Sequence, residues 1–339
     1  MTGPVHRVGV VGCGTMGAGI AEVSLRAGLD VRVLVSAPDR VEAAEHRLAA
    51  AFDRAVTKGR MTPQEREDAA GRLRITADVA DLFDRQLVVE AVAEDLDSKR
   101  QIFKELDDQL ADPAAVLAST TSSLLVNDLA DATSRPGSVV GLHFFNPVPA
   151  MPLVEMVLTD RTEAWSAAAA AAFAVDALGK EVIRTRDRCG FVVNALLVPY
   201  LLAAVRMYDQ GVADAEDIDR GMTLGCGYPM GPLALLDMVG IDTITAVAHS
   251  MRENGTDLIT EVPPLLPRMV QEGRLGRKSG HGFYRYDQYK SGTSLRQVGN
   301  RLVGILHGCL KTPSRYDEAT AWSHHAHPHT AWPSTTWGV

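Results

Sequence analysis

Two ionisable side chains sit inside apolar runs. His143 lies in Gly141-Leu142-His143-Phe144-Phe145-Asn146-Pro147, and Glu155 in Pro152-Leu153-Val154-Glu155-Met156-Val157. A lone carboxylate is costly to bury, and a nearby imidazole would give it a partner. The carboxylate would in turn orient the imidazole and stabilise its charged form, as proton transfer requires. Plainer readings compete: a core histidine with satisfied hydrogen bonds, and a glutamate on an edge strand with one face in water. Ser119-Thr120-Thr121-Ser122-Ser123 supplies hydroxyls after another apolar run, and N-capping of a helix near Leu124 is the alternative use for them. Asn194 stands among Phe191, Val192, Val193, Leu196 and Leu197, where a buried amide needs partners and a substrate oxygen is one option.

A second constellation is Gly12-Cys13-Gly14-Thr15-Met16-Gly17, a GxGxxG between a strand-like run and a helical pattern. In that context Gly12 permits a tight turn, Gly14 admits a pyrophosphate close to the backbone, and Gly17 lets helix and sheet approach. The free N–H groups of Thr15 and Met16 then open a helix whose positive end faces phosphate. An acid is expected about 20 residues on, to hold the ribose diol. Ser36 occupies that place, with Arg40 nearby. Without the carboxylate, NADP stays open beside NAD, which is the favoured reading.

The elements that must carry these residues follow from periodicity. Strand patterns at Val8–Val11, Val31–Val35, Gln86–Val92, Ala115–Ala118, Val139–His143 and Leu153–Val157 alternate with helical ones at 15–27, 38–56, 63–73, 96–110 and 124–130. Alternation of this kind predicts an α/β fold with a parallel, doubly wound sheet. The character changes after about residue 188: 191–207 and 232–251 read as apolar helices, with no comparable strand between 190 and 280. The expected division is 1–188 for dinucleotide binding, 189–286 for an all-helical C-terminal domain, and 287–339 as an appended, disordered tail. Three of four Trp and five of ten His fall in the last stretch, which marks it as foreign to the rest. A metal site among His324, His325, His327 and His329 is a weak alternative, and no metal is expected. The helical part is apolar enough to require burial against a second copy, so a homodimer is expected.

Composition narrows the partners. A net charge of −8 without a long basic run argues against nucleic acid or anionic membrane surfaces. No apolar run reaches the ~18–20 residues of a membrane span. Cys13, Cys189, Cys226 and Cys309 form no CxxC pair, and no signal-peptide pattern precedes the first strand, so a cytoplasmic setting is expected.

Over residues 5–286 the sequence resembles the L-3-hydroxyacyl-CoA dehydrogenase family in its short, stand-alone form. The resemblance is carried by 11–21, by Val89-Glu90-Ala91-Val92-Ala93-Glu94-Asp95-Leu96, by 118–124 and by Gly141 to Pro149 with the following Pro152-Leu153-Val154-Glu155. Gly190-Phe191-Val192-Val193-Asn194, Gly227-Tyr228-Pro229-Met230-Gly231-Pro232 and 276–284 complete it. It implies a Rossmann domain followed by a helical dimerisation domain, and interconversion of (S)-3-hydroxyacyl-CoA, 3-hydroxybutyryl-CoA in particular, with 3-oxoacyl-CoA. It also implies His143 as general acid/base with Glu155 as its partner, and Ser122 and Asn194 at the substrate. By the same resemblance Glu94, Lys99 and Lys278 contact the cofactor, and Lys58 with Arg60 falls where a basic group meets coenzyme A. Thr120 and Ala195 depart from the family pattern. The rival readings are a related Rossmann dehydrogenase acting on a non-CoA hydroxy acid or sugar acid, and a non-catalytic binding protein of dehydrogenase fold.

Overall fold

A computed structural model describes residues 4–254, 258–259 and 261–286. The expected tail at 287–339 and its histidines lie outside the described residues.

The chain begins with a strand, β1 (Arg7–Val11), whose last four residues are buried, then the glycine turn and helix α1 (Thr15–Arg26). Gly28, at φ +84°, ends that helix region as a left-handed residue should. The next elements are β2 (Asp30–Leu34), α2 (Val41–Thr57), α3 (Pro63–Gly71), β3 (Leu73–Thr76), β4 (Leu87–Glu90), α4 (Leu96–Gln109), β5 (Val116–Ser119), α5 (Val126–Ala130) and β6 (Val139–Phe144). Then come β7 (Leu153–Leu158), α6 (Ala164–Ala172) and β8 (Glu181–Arg186). The eight strands form one sheet in the order β3-β2-β1-β4-β5-β6-β7-β8. The first six run parallel, with α1, α2 and α6 packed on an apolar cluster that includes Val10, Ile20, Phe52 and Phe173. A second cluster around Val88, Phe103, Leu117 and Leu129 seats α4 and α5. This is the Rossmann-type sheet that alternation predicts.

Four details differ from the sequence reading. β7 runs antiparallel to β6, with His143 directly opposite Glu155. Only residues 145–152 separate the two strands, too few for a parallel crossover, which needs about a dozen. β3 replaces the end of the helix expected to reach Leu73, and β8 pairs parallel to β7 although Glu181, Arg184 and Arg186 make half of it charged. The fourth is in the C-terminal half.

That half is helical: α7 (Val193–Asp209), α8 (Ala215–Arg220), α9 (Pro232–Val239), α10 (Ile241–Glu253) and α11 (Leu265–Gln271). Residues 232–251 are not one helix. Gly240, at φ +111°, breaks them, and α9 and α10 meet at 95°. A side chain at Gly240 would be strained there and crowded by Asp242 and Lys278. The core of this half joins Val198, Leu202, Leu236, Ile244, Leu266 and Met269. Two carboxylates fasten its ends. Asp219 accepts the amides of Leu233 and Ala234, at 2.8 and 2.9 Å, and the hydroxyl of Tyr284. Buried Asp237 accepts the amides of Phe283 and Tyr284, both at 2.9 Å. Among the described residues no single helix is long and apolar enough to cross a membrane.

Candidate active site

The parallel strands bring their carboxyl ends to one edge, where open α/β sheets place ligands. Strand order puts the glycine turn after β1, Glu90 at the end of β4, the 119–123 hydroxyls after β5 and His143 near the end of β6 side by side.

At the first of these, Gly12 has φ +93° and its N–H donates to Leu34 O at 2.8 Å. A Cβ on Gly17 would lie 1.9 Å from Gly12 O, whereas one on Gly14 would meet nothing within 4 Å. Gly14 is the N-cap of α1 and no side chain caps that helix, while Gly14 and Thr15 are exposed. The turn is therefore closed behind and open in front, with helix amides free for an anion, which fits a dinucleotide's pyrophosphate. Ser36 is exposed directly beyond β2, and Arg40, also exposed, faces Asp39 at 3.8 Å. Gly17→Ala forces the turn open at a cost of about 1–3 kcal/mol, so NADH affinity should fall about tenfold or more. Fluorescence titration checks this, and unchanged affinity would mean that the turn does not hold the cofactor.

Behind the turn lies a polar network that the sequence reading did not assemble. Lys99, expected to contact the cofactor, is buried at 1% exposure. Its ammonium donates to both oxygens of buried Glu90, at 2.7 and 2.9 Å, and lies 3.4 Å from Glu94 Oε2. Ser119 also donates to Glu90, at 2.6 Å. Glu94 Oε1 accepts from the hydroxyl of Thr121 at 2.6 Å, the amides of Ser122 and Ser123 at 2.8 and 3.0 Å, and their hydroxyls at 3.2 and 3.1 Å. Burial opposes the charge on Glu94, but Lys99 and these donors outweigh it and hold the carboxyl below its usual range. A depressed folded-state pKa stabilises the fold above the ordinary carboxylate pKa and is lost only as acid reaches the lower value. The hydroxyl loop thus stays fastened throughout neutral pH. The expected capping of a helix at Leu124 by this loop is only partial: Thr121 accepts the Leu124 amide at 3.0 Å, while α5 is capped by Asp187, which takes the amides of Val126 and Asn127 at 2.9 and 2.7 Å.

The two ionisable residues of the apolar runs meet. His143 Nδ1 and Glu155 Oε2 are 2.6 Å apart, with His143 at 6% exposure and Glu155 at 0%. Glu155 is not on an edge strand, because β7 lies between β6 and β8. Its other oxygen, Oε1, accepts the amides of Val192 and Val193, at 3.0 and 2.9 Å, at the start of α7. A carboxylate already accepting two amides acts as acceptor for Nδ1–H as well, which leaves the lone pair on Nε2. Rings of Phe145 and Phe191 flank the imidazole, with centroids 4.6 and 5.5 Å from its own. Asn194 is half-buried in the first turn of α7, and its side-chain amide makes no hydrogen bond among the described residues.

The remaining expected site residues lie apart from this pair. Lys278, in a short turn, holds Asp242 at the start of α10 with its ammonium 2.5 Å from Oδ1. Lys58 ends α2 and Arg60 follows it; both are exposed, and neither has an ion-pair partner among the described residues. Glu90, Ser119, Thr121, Asp187 and Cys189, whose thiol meets Ser123 O at 2.9 Å, complete the surroundings. The only sequence signal for them was polarity at the end of apolar runs.

Residues 7–188 match the 3-hydroxyacyl-CoA dehydrogenase NAD binding domain, and residues 190–286 the C-terminal domain of the same family. The chain belongs to the 3-hydroxyacyl-CoA dehydrogenase family. It is similar to a 3-hydroxybutyryl-CoA dehydrogenase of Mycobacterium tuberculosis, 52% identical over 286 residues, covering 84% of this chain and all of the relative. The mitochondrial hydroxyacyl-coenzyme A dehydrogenase of Homo sapiens is 40% identical over 83% of this chain and 91% of its own length. Among solved structures, M. tuberculosis FadB2 superposes with a TM-score of 0.81 over 84% of this chain and all of that one. The (S)-3-hydroxybutyryl-CoA dehydrogenase PaaH1 of Ralstonia eutropha gives 0.77 at 37% identity, over 83% of this chain and 99% of its own. The chain is thus a dehydrogenase of this family, and its cofactor is NAD.

Proposed function

We propose that the protein interconverts (S)-3-hydroxyacyl-CoA, short-chain substrates such as 3-hydroxybutyryl-CoA foremost, and 3-oxoacyl-CoA, with His143 as general acid/base. The observation that carries this reading is the buried His143–Glu155 pair at the carboxyl edge of a dinucleotide-binding sheet. NAD, when bound, supplies the hydride acceptor. In oxidation His143 Nε2 takes the proton of the 3-hydroxyl, and Glu155 stabilises the imidazolium that results. In reduction the proton returns by the same path. Ser122 and Asn194 orient the substrate oxygens, Ser122 from a loop fixed by Glu94. Lys99 acts through Glu94, and Lys278 and Ser36 meet the cofactor. Lys58 and Arg60, exposed and without an ion pair among the described residues, suit the phosphates of coenzyme A, where a local positive end must work against an acidic chain. The division at about 188/189 separates the cofactor-binding part from the substrate-closing part, in a cytoplasmic setting.

The test is oxidation of NADH and of NADPH with acetoacetyl-CoA, alongside acetoacetate and sugar-acid ketones. Turnover with the thioester and NADH supports the reading. Turnover only with free acids, or none with any, overturns it in favour of the related dehydrogenase or the non-catalytic protein.

Association into a homodimer belongs to the same proposal. Val192, the N-cap of α7, and Leu196, Ala203 and Met207 on it recur at helical spacing as an exposed stripe, with Leu224 and Tyr228 also exposed in this half. Apolar area of this kind is what a dimer covers. The wild-type protein should sediment at about twice its 36.5 kDa chain mass. Met207→Glu, distant in sequence from the catalytic pair, should shift it towards the monomer. A monomeric wild-type protein would refute this part.

A further inference from the structure

We infer that Phe191 is a positioning residue for the acid–base pair, acting on His143 through its ring and on Glu155 through its backbone. The inference rests on the role proposed above for His143.

Phe191 is the one described non-glycine residue with positive φ, at +47°. A bulky side chain in the left-handed region is a true outlier and persists only where its surroundings hold it. Here they do. Gly190 before it is also left-handed, at φ +78°, and the Phe191 amide closes a turn on Arg188 O at 2.9 Å. The next two residues then present their amides together to one oxygen of Glu155. An extended backbone at 191 would send the chain elsewhere and leave a fully buried carboxylate short of two donors. The unusual conformation thus sits at the point where the start of α7 is aimed at the catalytic carboxylate.

The side chain reaches the same pair by a second route. The ring is buried at 5% exposure, in the apolar cluster that holds Val126 and Val157. Its centroid lies 5.5 Å from that of His143, at an interplanar angle of 55°, and Phe145 stands at 4.6 Å. With Nδ1 fixed by Glu155, two tilted rings limit how far the imidazole can swing, which keeps Nε2 aimed. Misplacement by about 1 Å is enough to cost a large factor in rate.

Substitutions separate the two routes. Phe191→Gly keeps a backbone that accepts positive φ and deletes the ring. Phe191→Val deletes the ring and, being β-branched, also resists the left-handed turn. Phe191→Leu keeps bulk without an aromatic face. The expected order of kcat is wild type, then F191L and F191G lower by about 10- to 100-fold, then F191V lowest. NADH affinity by fluorescence titration and KM for NADH should not change. Circular dichroism and thermal melting identify the folded variants, and F191G with F191L decides the matter if F191V does not fold. Wild-type kcat in folded F191G and F191L overturns the inference, as does a fall in kcat matched by an equal loss of NADH affinity, which is general loosening. Equal kcat in F191G and folded F191V overturns the backbone route. His143→Gln, assayed in parallel, separates the two levels: near-normal turnover there sinks the proposed mechanism itself, whereas an inactive H143Q beside fully active Phe191 variants sinks only this inference.

Discussion

His143→Gln lowers kcat by about 10²–10⁴-fold, the usual worth of a positioned proton-transfer group, and leaves NADH binding intact. The expectation rests on how completely the surroundings commit this side chain. Nδ1 is taken by Glu155 at 2.6 Å, and the ring is confined between Phe145 and Phe191. Only Nε2 remains for chemistry. Glutamine fills a similar volume and can still hydrogen-bond, but it cannot accept the hydroxyl proton. The glycine turn and the 119–123 loop lie on other strands and are unaffected, so a fluorescence titration with NADH should match wild type. Steady-state kinetics with acetoacetyl-CoA gives the comparison, and turnover within a few-fold of wild type would end the assignment.

Glu155→Gln produces a loss of similar size for a different reason. The amide oxygen can still accept from Val192 and Val193, which now hold Oε1 at 3.0 and 2.9 Å. Its NH₂ then faces Nδ1 and favours the tautomer with the proton on Nε2, the wrong nitrogen. Loss of the correct tautomer in a comparable carboxylate-oriented histidine costs up to about 10⁴-fold. Glu155→Ala adds a structural defect, because two amides at the head of α7 lose their fully buried acceptor. Each unsatisfied buried group costs about 1–3 kcal/mol. E155Q should therefore melt near wild type while E155A melts clearly lower, with kcat depressed in both. An active E155Q would show that the carboxylate does not set the tautomer.

The His143–Glu155 pair was legible because each member is a polar interruption of an apolar run. Position near a strand's carboxyl end then decided between core residue and site. The direction of β7 could have been inferred as well, since residues 145–152 are too few for a crossover. Other features left no readable signal. β3 is hidden because Arg72 and Arg74 flank Leu73, and β8 because three of its six residues are charged on a half-exposed edge. The break at Gly240 was missed since hydrophobicity continues across it and a single glycine is compatible with a helix. The Glu90–Lys99–Glu94 network depends on a strand end and a helix meeting in space, which spacing alone does not reveal. Lys99 was accordingly expected to face the cofactor and instead turns inward.

The opposition of His143 and Glu155 across two neighbouring strands separates reactivity from selectivity in how the protein can change over generations. The pair is held by the backbone ladder, and most of its neighbours on β6 and β7 are fully buried, so those strands tolerate little variation. The loop at 145–152, exposed at most of its positions, carries no such burden. On the proposed function, descendants could therefore diverge in the acyl group they accept through such a peripheral loop while inheriting the same proton chemistry unaltered.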